Sequence, residues 1–354
     1  MKRLRRVTRQ QWTQFVGMLV AVAAILAFFM LPLPRYIEGP GEADDLKAFV
    51  TMPHHQDKQK GKFMITSVTV AQARPVSYLY AKLKSYYSIE PASSVTGGAS
   101  NATYDKVQDF YMQSAINESI YTAYKAAKRP VTRKYLGIYV LSVAANSPFK
   151  GHLAVGDTVT KVNGHHFNSM TGYQHYIQRQ KVHQKLTVTY RHQGKTKKTT
   201  AKLMKLSTGK AGIGITLTDN VKVQAKPKVT VDPGNIGGPS GGLMFSLQIY
   251  QQLTGENLRH GRKIAGTGTV DSHGNVGEIG GIDKKVIAAK RAGATIFFAP
   301  YVKPTKTVLK YEENHQTNYQ LAKKTAKKNA PNMKVVPVRS FKDALHYLQT
   351  HPKS

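Results

Sequence analysis

The chain has 354 residues, enough for two or three folded domains, and 41% of them are hydrophobic, which excludes bulk disorder. Its 52 lysines and arginines face 19 aspartates and glutamates, and the net charge of +33 is spread along the chain rather than gathered in one arm. A nucleic-acid binder calls for a compact basic patch interleaved with aromatics, so the spread charge fits a solvated cationic surface facing anionic lipid or cell-wall polymer.

In chain order, residues 1–14 form a basic tail with Lys2, Arg3, Arg5, Arg6 and Arg9. Residues 15–34, "FVGMLVAVAAILAFFMLPLP", carry no charge. At about 1.5 Å per residue they span roughly 30 Å, the thickness of a bilayer's hydrocarbon core. A cleavable signal peptide has a shorter apolar region and a small-residue cleavage site, and "PRYIEGPGEADDL" offers no good one. A retained transmembrane helix is therefore expected, with the N-terminus cytoplasmic and the remainder extracytoplasmic, because basic residues precede the span and acidic ones come after it. The absence of cysteine is compatible with either compartment.

Residues 35–130 form an N-terminal extracytoplasmic region whose role is either to link or to pack on the C-terminal part of the chain. "MPHHQDKQK", 52–60, reads as a loop, "GKFMITSVTV" as a strand and "PASSVTGGASNAT" as a loop. Residues 103–128 have helical composition without glycine or proline, and "RP" at 129–130 closes the helix. Asn101 and Asn117 match the glycosylation pattern by chance.

From 131 the character changes to strands and turns. "YLGIYVLSV" precedes "NSPFKGHLAVGDTVTKVNG", a helical stretch, and "QKLTVTYRHQGKTKKTTAKLM", a hairpin with Gly194 at its turn. Together these resemble a PDZ domain of the bacterial protease type over about 131–206. The resemblance implies that an extended peptide adds to a strand edge, with Leu136, Gly137 and Ile138 forming the loop that receives its carboxylate. A small β-domain with an ordinary glycine turn is the plainer alternative.

"GNIGGPSGGLMFSLQIY", 234–250, sets Ser240 between glycine pairs ahead of an apolar run. A serine there can cap a helix. The glycine density also suits acyl transfer, which needs close backbone approach and N–H groups aimed at an oxyanion. "GPSGG" fits the G-x-S-x-G pattern of α/β-hydrolases and loosely that of trypsin-like proteases, but "VDPGNIGG" is a poor strand, and an apparent PDZ domain occupies the place of a trypsin-like histidine and aspartate.

A third reading is a serine–lysine dyad. "GEIGGIDKKVIAAKRAGATIFFAP", 277–300, predicts a turn, a helix from about 282, a closing Gly293 and a strand. Ile282, Val286 and Ala289 define the buried face of that helix, Lys285 borders it, and Lys284 points away. Desolvation disfavours a charged lysine, and a general base working near neutrality needs its pKa roughly 3 units below ~10.4. A surface lysine that snorkels is the alternative for Lys285.

Residues 218–350 resemble the proteolytic domain of the Lon family through "GPSGGLMFSLQIYQQLTGENL", "IAGTGTVDSHGNVGEIGGIDKKVIAAKRAG" and "ATIFFAP". With the anchor and the PDZ-like segment, the chain resembles a bacterial membrane-anchored Lon-like serine protease. The resemblance implies an α+β fold, Ser240 as the catalytic serine, Lys285 as the catalytic lysine, Thr267 as the residue that orients the lysine, and backbone amides around Gly238, Pro239 and Ser240 as the oxyanion site. Gly237 and Thr269 stand where ATP-dependent Lon enzymes often have acidic residues, so Lon's active-site regulation does not transfer. No G-x-x-x-x-G-K-[ST] loop occurs, so an ATP-independent endopeptidase acting on peptides or unfolded protein is expected. No metal or other cofactor is expected: His54–His55 and His165–His166 are adjacent pairs without metal-ligand spacing. A homo-oligomeric ring is implied by the resemblance alone. The alternative is a membrane-anchored PDZ binding module with an inactive C-terminal scaffold.

Overall fold

The computed structural model describes residues 8–352; Lys2, Arg3, Arg5 and Arg6 of the basic tail lie outside them. A helix of 22 residues, α1 (Arg9–Met30), comes first and is long and apolar enough to cross a membrane. It starts inside the expected basic tail because Thr8 and Gln11 form a capping box. It ends before Pro32 and Pro34, which cannot continue it, so the last residues of the expected span are extended.

Next come β1 (Arg35–Asp45), β2 (Lys62–Gln72), α2 (Pro75–Leu83), β3 (Ser88–Pro91), α3 (Ala92–Thr96) and α4 (Asn101–Ala126). The stretch 91–103, expected as a loop, holds α3 and the first turn of α4. Ser100 accepts a hydrogen bond from Thr103 N and starts that helix earlier than composition suggested.

A second, wholly antiparallel sheet is made of β4 (Val131–Val143), β5 (Thr158–Val162), β6 (Lys185–His192), β7 (Lys195–Lys202) and β8 (Ile215–Ala225) in the order β8-β4-β5-β6-β7. The helix α5 (Met170–Gln178) closes it, and Tyr173 and Ile177 are buried with Ile138, Val140, Val159 and Val188. The sequence suggested boundaries at 206 and 218. They need correction, because β8 pairs with β4 from Ile215–Val143 to Ala225–Val131, so a cut at 218 falls inside a strand of this sheet.

The main elements of the C-terminal part are α6 (Gly242–Thr254), β9 (Lys263–Gly266), α7 (Ile282–Arg291), β10 (Ile296–Pro300), α8 (Asn318–Asn329), β11 (Lys334–Val338) and α9 (Phe341–Thr350). They join the N-terminal strands in one mixed sheet ordered β11-β10-β9-β2-β1-β3. The ladders β2–β9, β9–β10 and β10–β11 are parallel, while β1 is antiparallel to β2 and β3. Residues 35–126 are thus built into the C-terminal unit and do not form a linker.

The alternation of side chains along β2 sorts two cores. Phe63 and Ile65 face α4, α6 and α9, whereas Met64 joins Ile282, Val286 and Ala289 of α7 and Leu321 and Ala322 of α8. Strands covered on both faces read as continuous apolar runs, which explains "IFFA" in β10. Twelve consecutive residues of α6, Gly242–Leu253, are buried. The helix after Ser240 is therefore held on all sides.

Candidate active site

Ser240 ends the loop before α6. The residue capping that helix is Gly241, with no side-chain cap bond, so the Ser240 hydroxyl does not serve as a cap. It lies 2.6 Å from Lys285 Nζ. The two glycines after it let the helix start close to its neighbours: a Cβ on Gly242 would sit 2.7 Å from the Val270 amide nitrogen. The Ser240 carbonyl accepts hydrogen bonds from Gly268 N (2.9 Å) and Thr267 Oγ1 (3.1 Å), which fix the peptide from which Oγ projects.

Lys285 is 3% exposed. Besides Ser240 Oγ, its Nζ lies 3.1 Å from the Thr66 carbonyl and 3.3 Å from Thr267 Oγ1. Burial lowers its pKa to about 8, and Glu38 opposes that shift. Three oxygen partners satisfy the three N–H groups of the ammonium. Once the amine is neutral, its two N–H groups suffice for Thr66 O and Thr267 Oγ1, and its lone pair is left for the serine hydroxyl proton.

Lys284, expected to point outward, is 2% exposed and pairs with Asp283 at 3.4 Å. Contacts of α7 with β1 and β2 and with α8 leave little outward face at that position. Local periodicity reports one packed face of a helix and misses a second.

The oxyanion trio also needs correction. Pro239 has no N–H, and the Gly238 N–H donates to the Gln108 carbonyl of α4 at 3.1 Å. Gly238 sits at φ +86°, a conformation that suits glycine. Of the three, Ser240 retains an amide that can meet a substrate oxygen.

Ser240 and Lys285 open onto a cleft of ≈ 480 Å³ lined also by Glu38, Val70, Gln108 and Glu278. Glu278 Oε2 accepts from Asn318 N at 2.7 Å, while Oε1 is buried without a partner. Burial pushes this carboxyl up to about 7. Asn318 also accepts from Ile279 N (2.8 Å) and donates to Ile279 O (2.9 Å), tying the turn before α7 to the start of α8.

Thr66, Glu38, Gln108 and Glu278 were not singled out by sequence. One signal was present: Pro40 and Gly41 inside a strand mark a bulge, and the β1–β2 register shifts between Pro40 and Ala43, next to Thr66. The histidines of the two adjacent pairs make other contacts, His55 with Gln252 O and His166 with Thr160 O. Among the described residues no cluster of three or more His, Asp or Glu could hold a metal ion.

Leu136, Gly137 and Ile138 lie within β4, far along the chain from this cleft. Gly137 has φ +138°, and a Cβ there would sit 2.2 Å from the Val159 carbonyl oxygen. The edge expected to receive a peptide is already paired: Gly137 opposes Asn220, and Ile138 opposes Asp219 of β8. Asp219 Oδ1 accepts from Met170 N at the start of α5 (2.7 Å), and Asn220 Nδ2 donates to Thr158 Oγ1 (2.8 Å), so β8 is tied to both sides of the groove.

Comparison with known proteins gives two kinds of match. The Lon protease of Desulforamulus reducens is 41% identical over 63 residues, which is 18% of this chain and 8% of that protein's length. Among solved structures, the PDZ domain of an SdrC-like protein from Listeria monocytogenes is 35% identical, covering 24% of this chain and 90% of that one, with a TM-score of 0.23. The PDZ domain of the SdrC-like protein from Listeria innocua is also 35% identical, covering 23% and 92%, with a TM-score of 0.23. The PDZ domain family model matches residues 114–203, and the chain therefore contains a PDZ domain within a mixed α+β structure.

Proposed function

We propose that the protein is an ATP-independent serine endopeptidase of the Lon-like type, held at a membrane by α1, with its catalytic unit outside the cytoplasm. The single observation that carries it is the 2.6 Å contact between Ser240 Oγ and a buried lysine amine of lowered pKa. A scaffold has no use for a desolvated lysine aimed at a serine.

Neutral Lys285 takes the Ser240 proton, and Oγ attacks a peptide carbonyl. The Ser240 amide meets the developing oxyanion, and Gly238 joins it when its amide leaves the Gln108 carbonyl. Protonated Lys285 then gives its proton to the leaving amine, and water hydrolyses the acyl-enzyme. Thr267 holds the lysine with one lone pair while its own proton goes to Ser240 O.

The test is cleavage of an unstructured protein such as casein by the full chain and by Ser240→Ala. Cleavage by the parent alone supports the proposal, and equal cleavage by both overturns it. Because the base must be neutral, kcat/KM rises about tenfold per pH unit below the lysine pKa and levels off above it. The midpoint is expected near 8, in line with Lys285. A profile flat from pH 6 to 9 would exclude Lys285 as the base.

Peptide capture by the PDZ domain at the β4 edge requires β8 to leave. Ser142 Oγ donates to Thr216 Oγ1 at 2.8 Å across this ladder, and the chain has no cysteine of its own. In a Ser142→Cys/Thr216→Cys variant, an apolar C-terminal peptide should bind at least tenfold more weakly when the pair is oxidised, as read by fluorescence anisotropy. Equal binding in both redox states would mean that peptides use another surface.

A further inference from the structure

The segment between α1 and the catalytic unit contains no slack. Leu33 N donates to Ala73 O (2.8 Å), Ala73 N donates to Arg35 O (2.8 Å), and Ala92 N donates to Pro34 O (3.3 Å). Leu33 also packs with Ile37, Ala73 and Ala81 in a small apolar cluster. The nine-residue helix α2 starts at Pro75, two residues after the alanine that holds Leu33, and it contacts α1 directly.

This helix, about 13 Å long, has its faces in an unusual order for a soluble surface. Ala81 is its buried residue, turned to the cluster below. On the opposite side, at helical spacings of one and four, Leu79 is 51% exposed, Tyr80 50% and Leu83 84%. Their flanks are cationic and aromatic: Lys82 Nζ lies 4.9 Å from the Tyr78 ring centre, and Lys84 Nζ lies 5.8 Å from that of Tyr80. Exposed leucines bordered by tyrosine and snorkelling lysine match the composition of a bilayer's interfacial layer, where an amphipathic ring and a long cationic stem each keep a polar end in water.

We infer that α2 is an interfacial helix that lies in the bilayer surface beside α1, with Leu79, Tyr80 and Leu83 sunk among lipid headgroups and upper acyl chains. The inference rests on α1 spanning the membrane. Two attachments close together hold the catalytic unit in one orientation, whereas a single helix on a flexible tether would let it tumble. The wall of the cleft is part of the same anchoring: α3, which contributes Ser94 and Val95 to the lining, is tied to Pro34 through Ala92. Substrates therefore reach Ser240 next to the membrane plane.

The cysteine-free chain allows a direct test. Single Val22→Cys, Leu83→Cys and Lys197→Cys variants of the full chain are labelled with a small environment-sensitive fluorophore and reconstituted in nanodiscs with or without brominated acyl chains. Leu83 and Lys197 are exposed, so neither substitution disturbs a core. Expected is at least twofold quenching at 22 and at 83, and none at 197. Quenching at 22 without quenching at 83 overturns the interfacial helix. No quenching at 22 removes the membrane span, and the inference falls with it. Neither result depends on protease activity.

Discussion

Lys285→Met is expected to lower casein cleavage by about three orders of magnitude or more, the scale of losing a general base, while making the fold more stable. The two effects have one cause. Nζ is buried, and its pKa is lowered from 10.5 to about 8 because burial penalises the cation. The folded state therefore binds fewer protons than the unfolded chain between those values, and stability rises with pH across that window. Near pH 7 the wild-type fold carries a protonated, desolvated amine, and replacing it with an apolar side chain of similar length should gain on the order of 1–2 kcal/mol. The loss of a donor to Thr66 O and Thr267 Oγ1 trims that gain. Urea unfolding midpoints at pH 7 and pH 10 check the sign: the advantage of the methionine variant should narrow as pH rises. Lower stability at pH 7 together with intact turnover would remove both the strain and the catalytic role.

Asp57→Ala is expected to cost about 3–5 kcal/mol, since it leaves a buried guanidinium without its counter-charge. Arg259 is fully buried and reaches both carboxylate oxygens of Asp57 at 2.6 Å. Gln248 Nε2 donates to the same carboxylate at 2.8 Å. Burial pushes the Asp57 carboxyl up, but hydrogen bonds from Arg259 and then Gln248, with the charge of Arg259, outweigh it and hold the group below the usual carboxylate range. A depressed folded value means that this contribution is present above the unfolded pKa of ~3.9 and is lost as pH falls through the folded value. The midpoint of urea unfolding at pH 7 reads the effect, and Asp57→Leu combined with Arg259→Leu should recover much of the loss, because neither charge then stays unpaired. A midpoint unchanged in Asp57→Ala would show that the loop 52–60 does not anchor the core.

The reach of that loop shows where local reading stops. "MPHHQDKQK" carries no periodicity and reads as a polar loop, yet its one aspartate closes a buried network with a residue about two hundred positions away. The long elements were legible, because a helix such as α4 declares itself through a composition free of glycine and proline up to the closing "RP", and a strand such as β2 through its run of strand-forming residues after a glycine. Legible too was the chemical potential of two short stretches, one presenting a serine among glycines and one presenting a lysine at the border of an apolar helix face.

What spacing could not convey was every relation between segments distant in the chain. Thr66 O and Thr267 Oγ1 both reach Lys285 because β2 and β9 lie side by side in a parallel ladder and α7 packs across them, and such pairings are chosen by burial on both sheet faces rather than by neighbouring residues. The Gly238 amide is turned to Gln108, and the PDZ edge is filled by β8, because the body of α4 and the middle of β8 pass where those backbone groups need partners. Residue types and their periods determine which elements form and which side chains are able to react. Long-range packing and the demand that every buried N–H and C=O be paired decide which of those side chains meet, which amides stay available, and how far a buried amine is driven from its ordinary pKa.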